Sequence, residues 1–249
     1  MPKFQMNEPT PSIIVDLRIP GRWSHPRDLV ARLPDGCRVT PKALILPDGA
    51  RVDLGFLPPD DQFPSIFRSS CRRLPTEEEL ATADGYTVNV TLSSNGGSME
   101  AARTIMKAGA AMVRAGGAGV FIDNSALAHG GELWLEMTED GGPDALSFAF
   151  VAIVRGNTDI WTVGMHVLGL RDIVVKRADV ERGFDIVEVI RYLVHGDKPV
   201  GDGHILAGVK GPSFSCRAED NDPRMVGTPA YNPFGRHRLV KLRHIASNN

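Results

Sequence analysis

Cysteine is scarce in this chain. There are three, Cys37, Cys71 and Cys216, far apart and with no C-x-x-C pair. Neither a disulfide framework nor a structural zinc site is expected from them, and a reducing, cytoplasmic setting fits. Long apolar runs are missing too. No stretch approaches the ~18 uninterrupted apolar residues of a membrane span. The opening MPKFQMNEPTP lacks the apolar centre of a secretory leader, so neither a leader nor a membrane contact is expected. Aromatics are only 6% of the chain, which argues against a base- or sugar-stacking surface. Charge of one sign is also lacking. The net charge of −2 creates no field that would gather nucleic acid, so nucleic acid is not an expected partner.

What is present is enough apolar material for a sizeable core, 42% of 249 residues. Ser12–Arg18 (SIIVDLR) reads as a strand. Pro26–Leu33 reads as a helical turn or two, with Ser24 as N-cap. Lys42–Leu57 reads as a hairpin around PDG. Phe63–Arg73 and Glu77–Ala83 read as short helices divided by Pro75. Tyr86–Leu92 (YTVNVTL) alternates, with Val88, Val90 and Leu92 on one face. After the turn SSNGG, Ser98 and Glu100 mark the start of a helix over Met99–Arg114. Its apolar face holds Ala102, Ile105, Met106, Gly109, Met112 and Val113, and Gly116–Gly117 closes it. Gly119–Ile122 returns as a strand, completing a strand–helix–strand unit.

Downstream, Glu132–Met137 (ELWLEM) alternates like a strand, and Leu146–Val154 (LSFAFVAIV) reads as a central strand. A second helix is expected over Val180–Val194. Its N-cap would be Asp179 and its buried face Val180, Phe184, Val187, Ile190 and Val194, with Gly196 closing it. His204–Val209 would be its return strand and Leu239–Ile245 the last strand. The strand–helix–strand pattern thus occurs twice. The expected fold class is α+β: a mixed β-sheet with helices packed on it. It is arranged as an N-terminal lobe over 10–130 and a C-terminal lobe over 131–249, or as one continuous domain.

The segment 162–175, TVGMHVLGLRDIVV, sets two glycines and a histidine in a strand-like run. Glycine inside a strand marks a bend, a bulge or the close approach of another backbone. The expectation is a glycine-bent strand, with His166 as a core-edge residue and Arg171–Asp172 shaping its exit, Asp172 either capping a turn or pairing with an arginine. Here the pattern G-M-x-x-L-G-x-x-D-I resembles the glycine–hydrophobe–glycine–acid signature of an uncharacterised bacterial domain-of-unknown-function family. That family more often carries Phe where this chain has Leu168 and Glu where it has Asp172. YTVNVTL, the Ala-rich helix and GVFIDNSAL are similar to the family's upstream half. The resemblance implies a cytoplasmic bacterial α+β protein and carries no activity to transfer.

Several groups are candidates for chemistry. Asp123, Asn124, Ser125 and His129 follow the strand GVFI, where α/β proteins often place ligands. With His166 and Asp172 they offer the residue types of a hydrolase, but no G-x-S-x-G elbow is present. Ser93–Gly97, and within and beside it Ser94, Gly96, Gly97 and Ser98, could cradle an anion at a helix N-terminus, without any nucleotide-binding glycine motif. Glu219, Asp220 and Asp222 lack the spacing of a Ca²⁺ loop, so no metal site is assigned. Arg236, His237, Arg238, Lys241, Arg243 and His244 form a mild basic end without interleaved aromatics. No cofactor is expected. The leading functional expectation is a non-enzymatic binding or interaction protein, with an immunity or accessory role as one form and a protein as partner. The alternatives are a hydrolase-like enzyme using His166 or His129 with a nearby acid, and an anion or nucleotide binder at Ser93–Gly97. Oligomeric state is left open.

Overall fold

The computed structural model describes residues 12–180, 184–196, 200–207, 213–221 and 223–242. The fold is α+β, with seven α-helices and two sheets among the described residues. The first sheet holds β1 (Ile14–Gly21), β2 (Arg38–Thr40), β3 (Ala43–Ile45), β4 (Arg51–Leu57), β5 (Val88–Asn95), β6 (Gly119–Ile122) and β7 (Leu127–Gly130). Their spatial order is β2-β3-β4-β5-β1-β6-β7, and every neighbouring pair is antiparallel. The second sheet holds β8 (Ala152–Arg155), β9 (Asp159–Val163), β10 (Asp172–Lys176), β11 (Ile205–Ala207), β12 (Ser213–Glu219) and β13 (Arg236–Lys241). Its order is β11-β12-β13-β10-β9-β8. It is mixed, because β10 pairs with β13 in parallel and the other pairs are antiparallel.

Helix α4 (Met99–Arg114) lies over β5, β1 and β6. Ser98 caps it through Oγ to the Ala101 N–H, as the sequence indicates. β1 brings Val15, Leu17 and Ile19 against α4, each fully buried, and β5 brings Val90 and Leu92 beside them. β5 and β6 run the same way with β1 between them, so the strand–helix–strand unit crosses one inserted strand. Beside α4, α5 (Gly131–Asp140) packs against it and against β6 and β7. The Trp134 indole donates to the Met106 carbonyl at 3.1 Å. A side chain at Gly109 would put its Cβ 2.9 Å from that same indole nitrogen, so Gly109 makes room for Trp134. One buried apolar cluster runs from Val15 and Leu92 through Ile105 and Phe150 to Ile173 and Leu239. A smaller one gathers Phe63 and Phe67 of α2 (Phe63–Ser70) with Tyr86 and Phe121. All three cysteines are free thiols. No helix among the described residues is long and apolar enough to cross a membrane.

Three expectations are corrected. Glu132–Met137 is not a strand but the middle of α5. Six residues satisfy either period, and the helix is chosen because it buries Trp134 and Met137 one turn apart. Gly141, at φ 59°, stops it. Leu146–Val154 is not one strand. Helix α6 (Pro143–Phe150) takes its first part, and only Ala152–Arg155 is extended. The helix-start signal is Pro143 at the first turn with Asp144 beside it. The segment 164–170 is not a bent strand. β9 stops at Val163, a 3₁₀ turn occupies Met165–Leu168, and β10 begins at Asp172. Gly164 (φ 104°) and Gly169 (φ 79°) bracket the turn in left-handed conformations.

Smaller shifts occur at the ends. His25, not Ser24, caps α1 (Pro26–Ala31), with Asp28 returning the capping-box bond. Helix α7 (Phe184–His195) buries Ile186, Val189, Ile190, Leu193 and Val194, while Val187 is half-buried. Residues 181–183, 208–209, 222 and 243–245 lie outside the described residues, as does the Phe184 side chain, and Val180, the expected first residue of α7, is extended (φ −108°, ψ 115°) instead of helical. Asp179 sits in a 3₁₀ turn, Arg177–Asp179, rather than at a helix end.

Candidate functional site

The glycine-bracketed turn sits where three distant loops converge. After β6 the chain makes a tight turn through Asp123–Ala126, with Ala126 left-handed at φ 53°. That turn points Asn124 inward. Its Oδ1 accepts from the Asp16 N–H at 3.1 Å, and its Nδ2 donates to Ile14 O at 2.9 Å and Pro229 O at 3.2 Å. The same Nδ2 lies 3.3 Å from His166 Nε2. His166 is 1% exposed, and burial pushes it down to about 4 against the pull of the Pro229 carbonyl. It is therefore neutral at neutral pH.

Asp172 is the centre of the second half. Its Oδ1 accepts from Thr162 Oγ1 at 3.0 Å and the Met165 N–H at 3.3 Å, and its Oδ2 accepts from Asn232 Nδ2 at 2.8 Å. Each partner is held as a donor. Thr162 Oγ1 already accepts from Ile173 N–H. Asn232 is oriented by the Leu170 carbonyl on Nδ2 and the Phe234 N–H on Oδ1. Burial pushes the Asp172 carboxyl up to about 6, while the three donors and Arg236 hold it back.

The structure thus brings Asn124, Ser125, His166 and Asp172 into one buried polar junction but does not connect them as a catalytic relay. Ser125 Oγ and His166 Nδ1 are buried and have no partner among the described residues. The Asp172 oxygens go to Thr162, Met165 and Asn232, none to His166. A nucleophile needs a base in hydrogen-bond reach, and that base needs an orienting acid. Neither link is made.

The remaining candidates lie apart. Asp123 forms an ion pair with Arg18 at 2.9 Å; burial raises its carboxyl and Arg18 opposes the rise. His129, on β7, is fully buried between the Trp134 and Phe148 rings, each 5.9 Å away. Its Nε2 bonds the Ala149 carbonyl at 2.9 Å. Burial, with Arg72 and Arg73 adding, lowers it to about 4.

At the start of α4, Gly96 N–H donates to Ile13 O, Gly97 N–H to Val167 O, and Ser98 Oγ caps the helix. Ser94 Oγ bonds the Asn95 carbonyl at 3.4 Å. The Gly96 and Gly97 amides of the supposed anion cradle are thus taken by protein carbonyls, the second by the 3₁₀ turn that packs over that helix end. A Cβ on Gly169 would meet the Gly97 carbonyl at 2.4 Å.

The basic end is divided by the alternation of β13. Arg236 and Arg238 pair with Glu219, and Arg238 also with Asp159. His237, Leu239 and Lys241 turn inward, and Lys241 Nζ donates to the Asp179 carbonyl at 3.4 Å. Glu219 of the acidic turn is thereby engaged.

An open cleft of about 520 Å³ lies next to the junction. Leu170, Leu193, Val200 and Phe234 give it apolar walls, and Arg171 and His237 are its polar groups. His237 is 5% exposed with Nδ1 unpartnered; burial and the Arg171 charge lower its pKa, against Asp202. Sequence reading passed over Asn232 and gave no ligand role to Arg171 or His237. Asn232 lies in an irregular, proline-rich stretch with no periodicity, and its partner Asp172 is 60 residues away. Compared with protein-family models, curated proteins and solved structures, the chain matches none.

Proposed function

We propose that the protein is a non-enzymatic binding protein, with the cleft beside Arg171 as its receiving site and the His166–Asp172 junction as scaffold. The observation that carries this is the division of labour between consecutive residues. Asp172 is 4% exposed and accepts from three protein donors, while Arg171 lines the open cleft. A buried carboxylate whose oxygens are taken, beside a histidine it does not touch, is poorly placed to move a proton on a substrate. The kinship with the bacterial domain-of-unknown-function family and the cytoplasmic setting belong to the same proposal. They rest on the sequence resemblance carried by the G-M-x-x-L-G-x-x-D-I segment.

The test is turnover. The full chain is assayed with p-nitrophenyl acetate and p-nitrophenyl phosphate beside the His166→Gln and Asp172→Asn variants. No turnover above a heat-denatured control is expected. Saturable hydrolysis that disappears in His166→Gln, with the melting curve unmoved, would overturn the proposal in favour of a hydrolase.

A further inference from the structure

We infer that the cleft takes a small organic acid, an apolar body ending in a single carboxylate, with the anion held by Arg171. This rests on the binding-protein reading and gives it a ligand class.

The guanidinium is the first reason. Arg18, Arg236 and Arg238 all pair with carboxylates. Arg171 makes no ion pair and no side-chain hydrogen bond among the described residues, although it is half-buried. A partly desolvated cation without a counter-ion costs free energy that a bound carboxylate recovers. The Arg171 guanidinium lies against Gly235. Its Nη1 lies over the Gly235 backbone, where a Cβ would stand 3.2 Å away, and Gly235 (φ 84°) leaves that space clear. The planar guanidinium fork presents two parallel N–H groups, the geometry a carboxylate accepts.

The walls are the second reason. Leu170, Leu193, Val200 and Phe234 line a volume of about 520 Å³, ample for an acyl or aryl body. The polar content is small. His237 carries no hydrogen bond from the described residues on either ring nitrogen. A neutral imidazole can donate one further bond to the bound oxygen. One cation and one neutral donor match one negative charge. They fall short of a di- or triphosphate, which needs several cations or a nest of free amides. The nearest such nest, at Gly96–Gly97, is already spent.

The experiment is calorimetric titration of the full chain with straight-chain carboxylates from acetate to decanoate, and with the matching neutral alcohols. Affinity is expected to rise with chain length, and each longer acid to bind about tenfold or more tightly than its alcohol. Arg171→Met, with an unchanged melting curve, is expected to remove the preference for acid over alcohol, and Arg171→Lys to restore part of it. Val200→Trp, which fills the cleft, is expected to abolish both series. If acids and alcohols bind alike, or Arg171→Met keeps the preference, the inference fails while a binding site remains. If no acid binds, the inference is overturned. The turnover assay then judges the binding-protein reading separately.

Discussion

Asp172 offers the sharpest test of how the fold is held, because its hydrogen-bond account closes on every side. Removing the carboxylate by Asp172→Ala leaves the Thr162 hydroxyl, the Met165 amide and one Asn232 amide hydrogen without an acceptor. Each orphaned buried donor costs about 1–3 kcal/mol, so the three together cost about 6 kcal/mol at mid-range. Against this, the variant no longer holds a buried charge. A carboxyl raised from 3.8 to about 6 carries about 3 kcal/mol of unfavourable free energy in its ionised form, at about 1.4 kcal/mol for each pH unit. The net expectation is a loss of about 3 kcal/mol at pH 7.

Asp172→Asn separates the two contributions. It keeps Oδ1 for Thr162 and Met165, and sheds the charge. It sets its own NH₂ against Asn232 Nδ2, and Asn232 cannot flip because Leu170 O and Phe234 N–H fix it. Its loss should be smaller than that of Ala, about 1–2 kcal/mol. The sign of the pH effect follows from the raised carboxyl. Its stabilising contribution is fully present below 3.8 and is lost as pH rises through about 6. The parent should therefore gain on the Asn variant as the pH falls across that window. Urea unfolding followed by circular dichroism at several pH values reads all of this. An Ala variant within about 0.5 kcal/mol of the parent would show that the three donors are not held as described.

Three further outcomes are expected. Ile105→Ala, at a fully buried site on the inner face of α4, should cost about 2–5 kcal/mol, and an unmoved thermal melt would count against the packing of that helix. Gly164→Ala and Gly169→Ala put a Cβ 2.2 Å from Phe150 O and 2.4 Å from Gly97 O. Both should therefore melt well below Gly49→Ala, which has the same left-handed backbone (φ 87°) but nothing within 4 Å; equal melts for all three would remove the close-approach argument. His129 and His166, both lowered to about 4, contribute stability that is present above the ordinary 6.5 and lost as pH falls toward 4, at most about 3 kcal/mol each. Acid destabilisation should be shallower in His129→Leu and His166→Gln, and an unchanged urea-midpoint slope in both would refute it.

What the sequence reveals follows from the range of the interactions. Helix α4 is legible end to end because its cap, its apolar face and its closing glycines are all local. The hairpin of β3 and β4 is legible because PDG is a local turn signal. Helices α5 and α6 are misread for opposite reasons. The first is short enough for six residues to fit two periods, and the second is apolar on all sides, so that it has no period. The insertion of β1 between β5 and β6 leaves no trace in either strand, since pairing partners are not written in alternation. The buried junction is illegible for the same reason. Asn124 reaches Pro229 across 105 residues, and Asp172 reaches Asn232 across 60.

Those long reaches also explain why the polar groups stand where they do. Apolar packing between two sheets is non-directional and tolerates small slides. Hydrogen bonds to a buried carboxylate do not, because a slip of a fraction of an ångström leaves a donor unpaired. Asp172 therefore fixes the relation of the 3₁₀ turn to the Asn232 loop. The bond from its own N–H to Gly235 O at 3.2 Å ties the start of β10 to the backbone on which Arg171 rests. One residue holds the loops together, and the residue before it is aimed into the cleft as a result. The glycines that bracket the turn make both orientations possible. Without left-handed backbone at Gly164 and Gly169, β9 would run on, Asp172 would lose its amide donor from Met165, and Arg171 would lose its seat on Gly235.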